Sequence, residues 1–384
     1  MIGKKKRKVR IELIDRISDL PDSIVGLILS FLPTEDAIRT SLLSKRWRLA
    51  WTSLPSLYFR FDSTKSKHII NDDSSSFAWF VHRALTLRQR SPIDSFRFSA
   101  HLVVDATLIE ECIRYAIQHN VKELKLRVLS KPRPVRIDSG MLSLCRSLTV
   151  LKLTCGIRDI IVLPKTLGLP VLRRLHMKNF VFSEKNYNGD FFSSCPNLEI
   201  LVLCKCMMSP PIELKVLNIH VPQLKELEIL HWRCPWVHFY EQSISVSAPR
   251  LTRLKYEGLI TPLCFKQEMS CLDRVCIDLC CPGSCVTVNE LERKRKTAEK
   301  LIAMLGELSS VRSLTLSLKT VEILSSIYKL EERESCIFCN LRYLAIKAED
   351  KRTEKTIPIN AITYLLQSSA SKKLSVGFPR HHPE

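Results

Sequence analysis

Ten times between Ile93 and Ile346 the chain repeats one arrangement of apolar residues. An anchor is followed by a second apolar residue three positions on and, in all but one unit, by a third five positions on. The units open at Ile93, Val121, Leu148, Leu172, Leu198, Leu224, Leu251, Leu272, Val311 and Leu341, with continuations such as Phe96 and Phe98 or Leu201 and Leu203. Successive openings lie 28, 27, 24, 26, 26, 27, 21, 39 and 30 residues apart. Alternation across the second and third positions is the period of a short strand with one buried face. A unit this short cannot cover its own apolar face. Neighbours must therefore stack and share one continuous core.

A period in the twenties with this core pattern is the mark of a leucine-rich repeat solenoid. The predicted fold class is α/β, with parallel strands in a horseshoe or arc over residues 77–350. Proline stands just ahead of several strands, as in SSCPNLEIL, HVPQLKELEIL and SAPRLTRLKY, where no ladder donor is lost. Phe77 to Leu87 reads as an amphipathic helix. The period slips between Val275 and Val311, and the gap holds VTVNELERKRKTAEKLIAMLGEL. This predicts a helical insertion near 287–308 with an apolar stripe of Leu291, Ala298, Leu301, Ile302 and Leu305. Its Arg293, Lys294, Arg295 and Lys296 read first as an ordinary solvated face, with a basic contact surface as the second reading. Strand alternation alone makes Lys152, Arg174, Glu199, Lys225, Glu228 and Lys255 outward, and these are the candidate substrate contacts. They predict a mixed, mildly basic binding surface.

A different pattern precedes the repeats. Ile17 to Leu57 reads ISDLPDSIVGLILSFLPTEDAIRTSLLSKRWRLAWTSLPSL, a cluster of three short helices. Asp22 or Ser23 is placed to cap the first, along which Ile24, Leu27, Ile28 and Phe31 recur at helical spacing. Thr34 is placed to cap the second. Ser44 opens a third, where Trp47 and Trp51 lie four apart. The segment carries more apolar side chains than so small a unit can bury. Residues 17–57 resemble an F-box of the plant form, through the Leu-Pro opening, the FLP turn and the LSKRWR close. The resemblance implies an F-box over 16–62 that packs against the C-terminal helices of a Skp-type adaptor, itself tied to a cullin-RING ubiquitin ligase. It places Leu20, Pro21, Ile24, Ile28, Leu32 and Pro33 in the apolar contact strip. Leu43, Trp47 and Trp51 would complete that strip or brace it from behind.

Residues 1–15 form a basic head, in which Lys4, Lys5, Lys6, Arg7 and Lys8 resemble a monopartite nuclear-import signal. A solvated tail and nucleic-acid contact are the competing readings. A linker rich in Asp and Ser is expected over 63–76. The C-terminal region, 336–384, partly resembles the start of the FBD that ends many plant F-box/leucine-rich-repeat proteins. It stops at LSVGFPRHHPE, about where a further strand would be expected.

The 384 residues carry a formal charge of +20, which raises nucleic acid as a partner. The charge is scattered rather than striped in the sequence, so nucleic acid is not the expected partner. No apolar run is long enough to span a membrane, and none is expected at one. The 15 cysteines do not form a secreted disulfide framework. Cys271, Cys276, Cys280, Cys281 and Cys285 are crowded but lack paired CxxC spacing, so packed thiols are expected and no metal. No phosphate-cradling loop, GxSxG or HExxH motif occurs, and the histidines have no nucleophile at fixed spacing. A non-catalytic chain without a cofactor is expected. The resemblance implies the substrate-recognition subunit of a Skp-cullin-F-box ligase, located in the nucleus, the cytoplasm or both, holding a substrate of unknown identity on its repeats. A leucine-rich repeat scaffold or ligand-sensing module is the alternative.

Overall fold

The computed structural model describes residues 20–61, 74–89, 91–129, 133–156, 161–189, 191–209, 214–232, 242–280, 290–308, 310–332, 338–347, 357–367 and 374–377. One twelve-stranded parallel sheet connects them, with strands in chain order. The strands are β1 (Ser56–Phe61), β2 (Ser95–Ala100), β3 (Glu123–Val128), β4 (Val150–Cys155), β5 (Arg174–Lys178) and β6 (Ile200–Cys204), then β7 (Glu226–Trp232), β8 (Arg253–Gly258), β9 (Arg274–Leu279), β10 (Ser313–Ser317), β11 (Tyr343–Lys347) and β12 (Leu374–Gly377). The helices are α1 (Asp22–Ser30), α2 (Thr34–Arg39), α3 (Ser74–Leu87), α4 (Ala106–Gln118), α5 (Ser139–Ser143), α6 (Glu290–Gly306), α7 (Leu318–Leu324) and α8 (Ile359–Leu366).

Register aligns the repeat's apolar pairs into two inward rows. One runs from Leu57 through Phe96, Leu124 and Leu151 to Leu344, and the other from Phe59 through Phe98, Leu126 and Leu153 to Ile346. No residue of either row from β1 to β11 is more than 2% exposed. In the unit opened by Leu251 the third position is Tyr256. Its ring fills the slot because its hydroxyl is satisfied, donating to the Leu259 carbonyl at 2.6 Å and accepting from the Thr261 N–H at 2.9 Å. The return side carries a short parallel ladder of Val216–His220, Ser243–Ser247 and Leu263–Phe265. In α6 four residues of the predicted stripe face in, with Ala298, Leu301 and Leu305 buried and Ile302 partly so, while the Leu291 side chain lies outside what is described. Its outer charges pair with one another one turn apart, Lys296 with Glu292 at 2.9 Å and Arg295 with Glu299 at 3.4 Å. That is the arrangement of a solvated face.

β1 was not among the ten units expected from the sequence. Leu54, Leu57 and Phe59 carry the same spacing, hidden inside the segment assigned to the helical cluster. The strand joins that cluster directly to the sheet. Thr34, expected to cap α2, is instead its first residue, with Pro33 in the cap position. Its hydroxyl accepts the Tyr58 N–H at 2.8 Å, covering a donor on the outer edge of β1 that would otherwise lack a partner. Neither Asp22 nor Ser23 caps α1, which Pro21 precedes with no side-chain bond. The expected third helix is a chain of i→i+3 bonds, among them Trp47 to Ser44, Ala50 to Trp47 and Leu54 to Trp51. A segment this short has little helical stability of its own, and the packing of its two indoles sets its path.

Arg88 closes the joint. Only 5% exposed, its guanidinium donates to the carbonyls of Gln89, Ser91, Leu54 and Pro92. The Gln89 N–H donates to the Thr52 carbonyl at 3.0 Å, and Asp94 N–H to the Pro55 carbonyl at 2.7 Å. Phe77 of α3 stacks on Phe61, and Phe80 meets Phe59 edge-on. One core cluster therefore runs from Val25 of α1 into the sheet without a break.

Two glycines give opposite expectations. Gly258 holds φ at +129°, and a Cβ there would lie 2.4 Å from the Trp232 backbone nitrogen. Gly258→Ala should destabilise the protein by about 1–3 kcal/mol. Gly26 sits inside α1, where an added methyl would meet nothing within 4 Å, so Gly26→Ala should stabilise it by about 0.5–1 kcal/mol. Thermal melts of the two variants beside the parent chain test both signs.

Candidate functional site

The helix α1 is apolar on two faces. Val25 and Leu29 point into the core at 2% and 0% exposure, with Leu32 half-buried behind them. Ile24, Leu27, Ile28 and Phe31 form the opposite stripe, and Phe31 is 79% exposed. A helix apolar on both faces belongs in an interior. In the turns that follow, Leu42, Leu43 and Leu49 are also exposed, Leu42 by 88%. Of the fifteen large apolar side chains exposed among the described residues, these seven fall in one 26-residue stretch, Ile24 to Leu49. Concentration of that kind marks an interaction surface, whereas scattered single residues do not.

The predicted adaptor residues divide on this surface. Pro21, Ile24, Ile28 and Leu43 are exposed, while Leu20, Leu32 and Pro33 are half-buried. Trp47 and Trp51 are each 5% exposed, in the core with Val25, Leu29, Ala37 and Leu54. They brace the apolar face from behind and do not contribute to it, because each indole is too large to be both core and contact in so thin a layer. Leu27, Phe31, Leu42 and Leu49 were not assigned to the contact strip. Leu27 and Phe31 had a signal, since they share the helical period of Ile24 and Ile28. Asp22 at the start of α1 is held by Arg46, whose Nη2 donates at 2.6 Å, and this ties the first helix to the indole-bearing turns.

The second surface is the open face of the sheet. Its outward rows alternate with the inward leucines and begin at Ser56, Tyr58 and Arg60 on β1. Lys152, Glu228 and Lys255 occupy the middle row and Arg174 the first. Glu199 and Lys225 do not stand in these rows. Each lies one residue ahead of its strand, and the two pair at the strand entry at 3.2 Å. The anchors Leu198 and Leu224 are buried three residues before Leu201 and Leu227, so strand alternation cannot be extended back across them. The outward positions there are Ile200 and Val202 on β6 and Glu226 and Glu228 on β7. The surface carries both signs, but its cations gather on β2 to β5, while on β7 to β9 Glu226, Glu228, Glu257 and Asp278 stand among Arg253, Lys255 and Arg274. Burial pushes the Glu123 carboxyl up, but Lys125, Lys152 and Arg97 outweigh it and bring its pKa down. Burial, with Lys152 and Lys178, lowers the pKa of His176, leaving the imidazole neutral at pH 7.

The described thiols are packed or dispersed. Cys112, Cys145, Cys155, Cys195 and Cys206 are buried, whereas Cys264, Cys271, Cys280 and Cys339 are exposed. Burial pushes the Cys112 thiol up, and pushes Cys206 up to about 12. Among the described residues no three His, Cys, Asp or Glu side chains gather as a metal site would require. Cys281, Cys285 and the run Lys4, Lys5, Lys6, Arg7 and Lys8 lie outside the described residues. No described helix is long and apolar enough to cross a membrane.

The division between brace and contact is open to measurement. Trp47→Ala should destabilise the fold by about 3–5 kcal/mol, as loss of a large buried side chain does. Phe31→Ser should leave stability within about 0.5 kcal/mol of the parent. Urea denaturation of both variants separates the roles, and equal losses would contradict the division.

The comparisons with known proteins meet this geometry at both surfaces. Residues 17–59 match the F-box domain model, which ends on β1. Residues 109–277, from α4 to β9, match the model described as "FBD-associated F-box protein At5g56370, LRR repeats". Relatives in Arabidopsis thaliana include F-box/FBD/LRR-repeat protein At2g04230, 28% identical over 84% of this chain and 68% of its own length. FBD-associated F-box protein At3g52670 is 33% identical over 64% of this chain and 55% of its own length. F-box/LRR-repeat protein At1g55660 is 30% identical over 59% of this chain and 68% of its own length. The chain thus spans between 55% and 68% of the length of these relatives. With its helical cluster, its apolar outer face and its parallel repeat sheet, the chain belongs to the F-box/LRR-repeat protein family.

Proposed function

We propose that this chain is the substrate-recognition subunit of a Skp-cullin-F-box ubiquitin ligase and carries no catalytic groups of its own. The observation that carries the reading is the apolar face of Ile24, Leu27, Ile28, Phe31, Leu42, Leu43 and Leu49, left uncovered in an F-box. Each such side chain that a partner covers contributes about 1.5–3 kcal/mol. Several together are needed to offset the roughly 4–15 kcal/mol of freedom lost on association. A Skp-type adaptor supplies the cover, and through it a cullin-RING ligase supplies the ubiquitin conjugate.

The function is then one of proximity. The open face of the sheet holds a substrate protein, and the Thr34 and Arg88 joint keeps that face at a set position relative to the docking helices. Substrate lysines are thereby held at high effective concentration near the conjugate. The run Lys4, Lys5, Lys6, Arg7 and Lys8 serves as a nuclear-import signal on this reading.

Two experiments test these roles. In co-purification with a plant Skp-type adaptor, a Phe31→Asp, Leu42→Asp double variant should lose more than tenfold in affinity while melting within a few degrees of the parent. Undiminished binding by the folded variant, or none by the folded parent, would sink the ligase reading and leave a free-standing repeat module. Separately, replacing Lys5, Lys6 and Arg7 by alanine should move a fluorescent fusion out of the nucleus, and an unchanged distribution would refute the import role.

A further inference from the structure

The outward rows of the sheet change character along the chain. From β2 to β5 they carry Arg97, Lys125, Arg127, Lys152, Arg174 and Lys178, against the single carboxylate of Glu123. Lys125 lies 2.7 Å and Lys152 4.0 Å from Glu123. Arg127, Arg174 and Lys178 have no carboxylate within ion-pair distance among the described residues, and Arg127 and Arg174 are exposed. On β6 the rows turn apolar, with Ile200, Val202 and Cys204 half-buried. From β7 to β9 carboxylates return among cations, and two of the four pair within the sheet, Glu226 with Arg253 at 2.9 Å and Glu257 with Lys255 at 3.7 Å. Four adjacent strands of the face therefore carry six cations against one carboxylate, bounded by an apolar strip.

We propose that strands β2 to β6 bind an extended acidic peptide segment of the substrate, its carboxylates over β2–β5 and an apolar side chain on Ile200 and Val202. This rests on the substrate-recognition reading and specifies its ligand. Parallel strands lie about 4.8 Å apart, so β2 to β6 spans roughly 19 Å. An extended peptide rises about 3.3 Å per residue, which makes the segment about six residues long. A peptide fits better than a single-stranded nucleic acid, which binds by stacking bases on aromatic rings. The outward rows of β2 to β6 hold no Phe, Tyr or Trp. The cations alone would hold a ligand loosely, since single exposed ion pairs change affinity only a few-fold. The apolar strip at one end supplies an anchor and a direction.

Selection of random hexapeptides on the full-length chain tests this. Asp and Glu should be enriched at four or more successive positions, followed by an apolar residue. Individual acidic winners should bind at least tenfold more weakly to an Arg127→Glu, Lys178→Glu double variant. A Lys165→Glu, Lys266→Glu control makes the same change of net charge at exposed sites outside the sheet, and should bind like the parent. Selection of neutral or basic sequences, no selection above background, or equal losses in the two double variants would overturn the proposal. So would a single-stranded oligonucleotide that outcompetes the acidic peptides and whose binding the face variant abolishes. Self-association in sedimentation that only the face variant disrupts would also overturn it, because a second copy would then be the occupant. None of these readouts involves the adaptor. A folded chain that binds adaptor but no acidic peptide defeats this inference alone, and one that binds peptide but no adaptor defeats the ligase reading alone.

Discussion

No unit of this chain can bury its own pair of inward side chains, and that constraint organises everything else. Leu201 and Leu203 are covered only because β5 and β7 lie on either side with Leu175, Met177, Leu227 and Ile229 in register. The same dependence repeats along the sheet, so the core is a row of shared contacts without a centre. Stability in such an array comes from interfaces between neighbours. An end of the array is then a place where half an interface is missing, and the structure answers that problem at β1 with the helical cluster.

The cluster does two jobs with one set of residues. Its inner side, through Trp51, Leu54 and the Thr34 hydroxyl, finishes the sheet at β1. Its outer side leaves a face of leucine, isoleucine and phenylalanine in water. Arg88 shows how firmly the two are joined. A buried guanidinium is costly unless its donors are used, and here four carbonyls from both sides of the junction accept from its two terminal nitrogens, leaving only the Nε–H without a partner. The result is continuity of core between a docking face and a recognition face, with α3 packed over the joint.

Much of this was legible before any coordinates. The three-and-five spacing located the strands from β2 to β11, because alternation and stacking leave one solution for it. The unit at Leu54, Leu57 and Phe59 obeyed the same rule and was overlooked only because a second pattern overlapped it. Other features were written in less local terms. Whether Trp47 faced in or out depended on how the i→i+3 turns were packed. Periodicity in α1 identified one apolar stripe, but the inward one was the quieter pair of Val25 and Leu29. Glu199 and Lys225 were misplaced because two buried leucines three apart break the period of two. The gathering of cations on β2 to β5 was invisible in the sequence, since Arg97, Lys125 and Lys152 are neighbours only across folded strands.

The five thiols buried among the described residues acquire a use from where they lie. Cys112, Cys145, Cys155, Cys195 and Cys206 are distributed over α4 and successive turns and strands of the array. A buried thiol meets an alkylating reagent only when its surroundings open. Each is thus a natural clock for its own section, and the order in which they accept an alkylating label would map which repeats loosen first. A quasi-one-dimensional protein ordinarily needs such reporters engineered into it; this one carries them at intervals from α4 to the turn after β6.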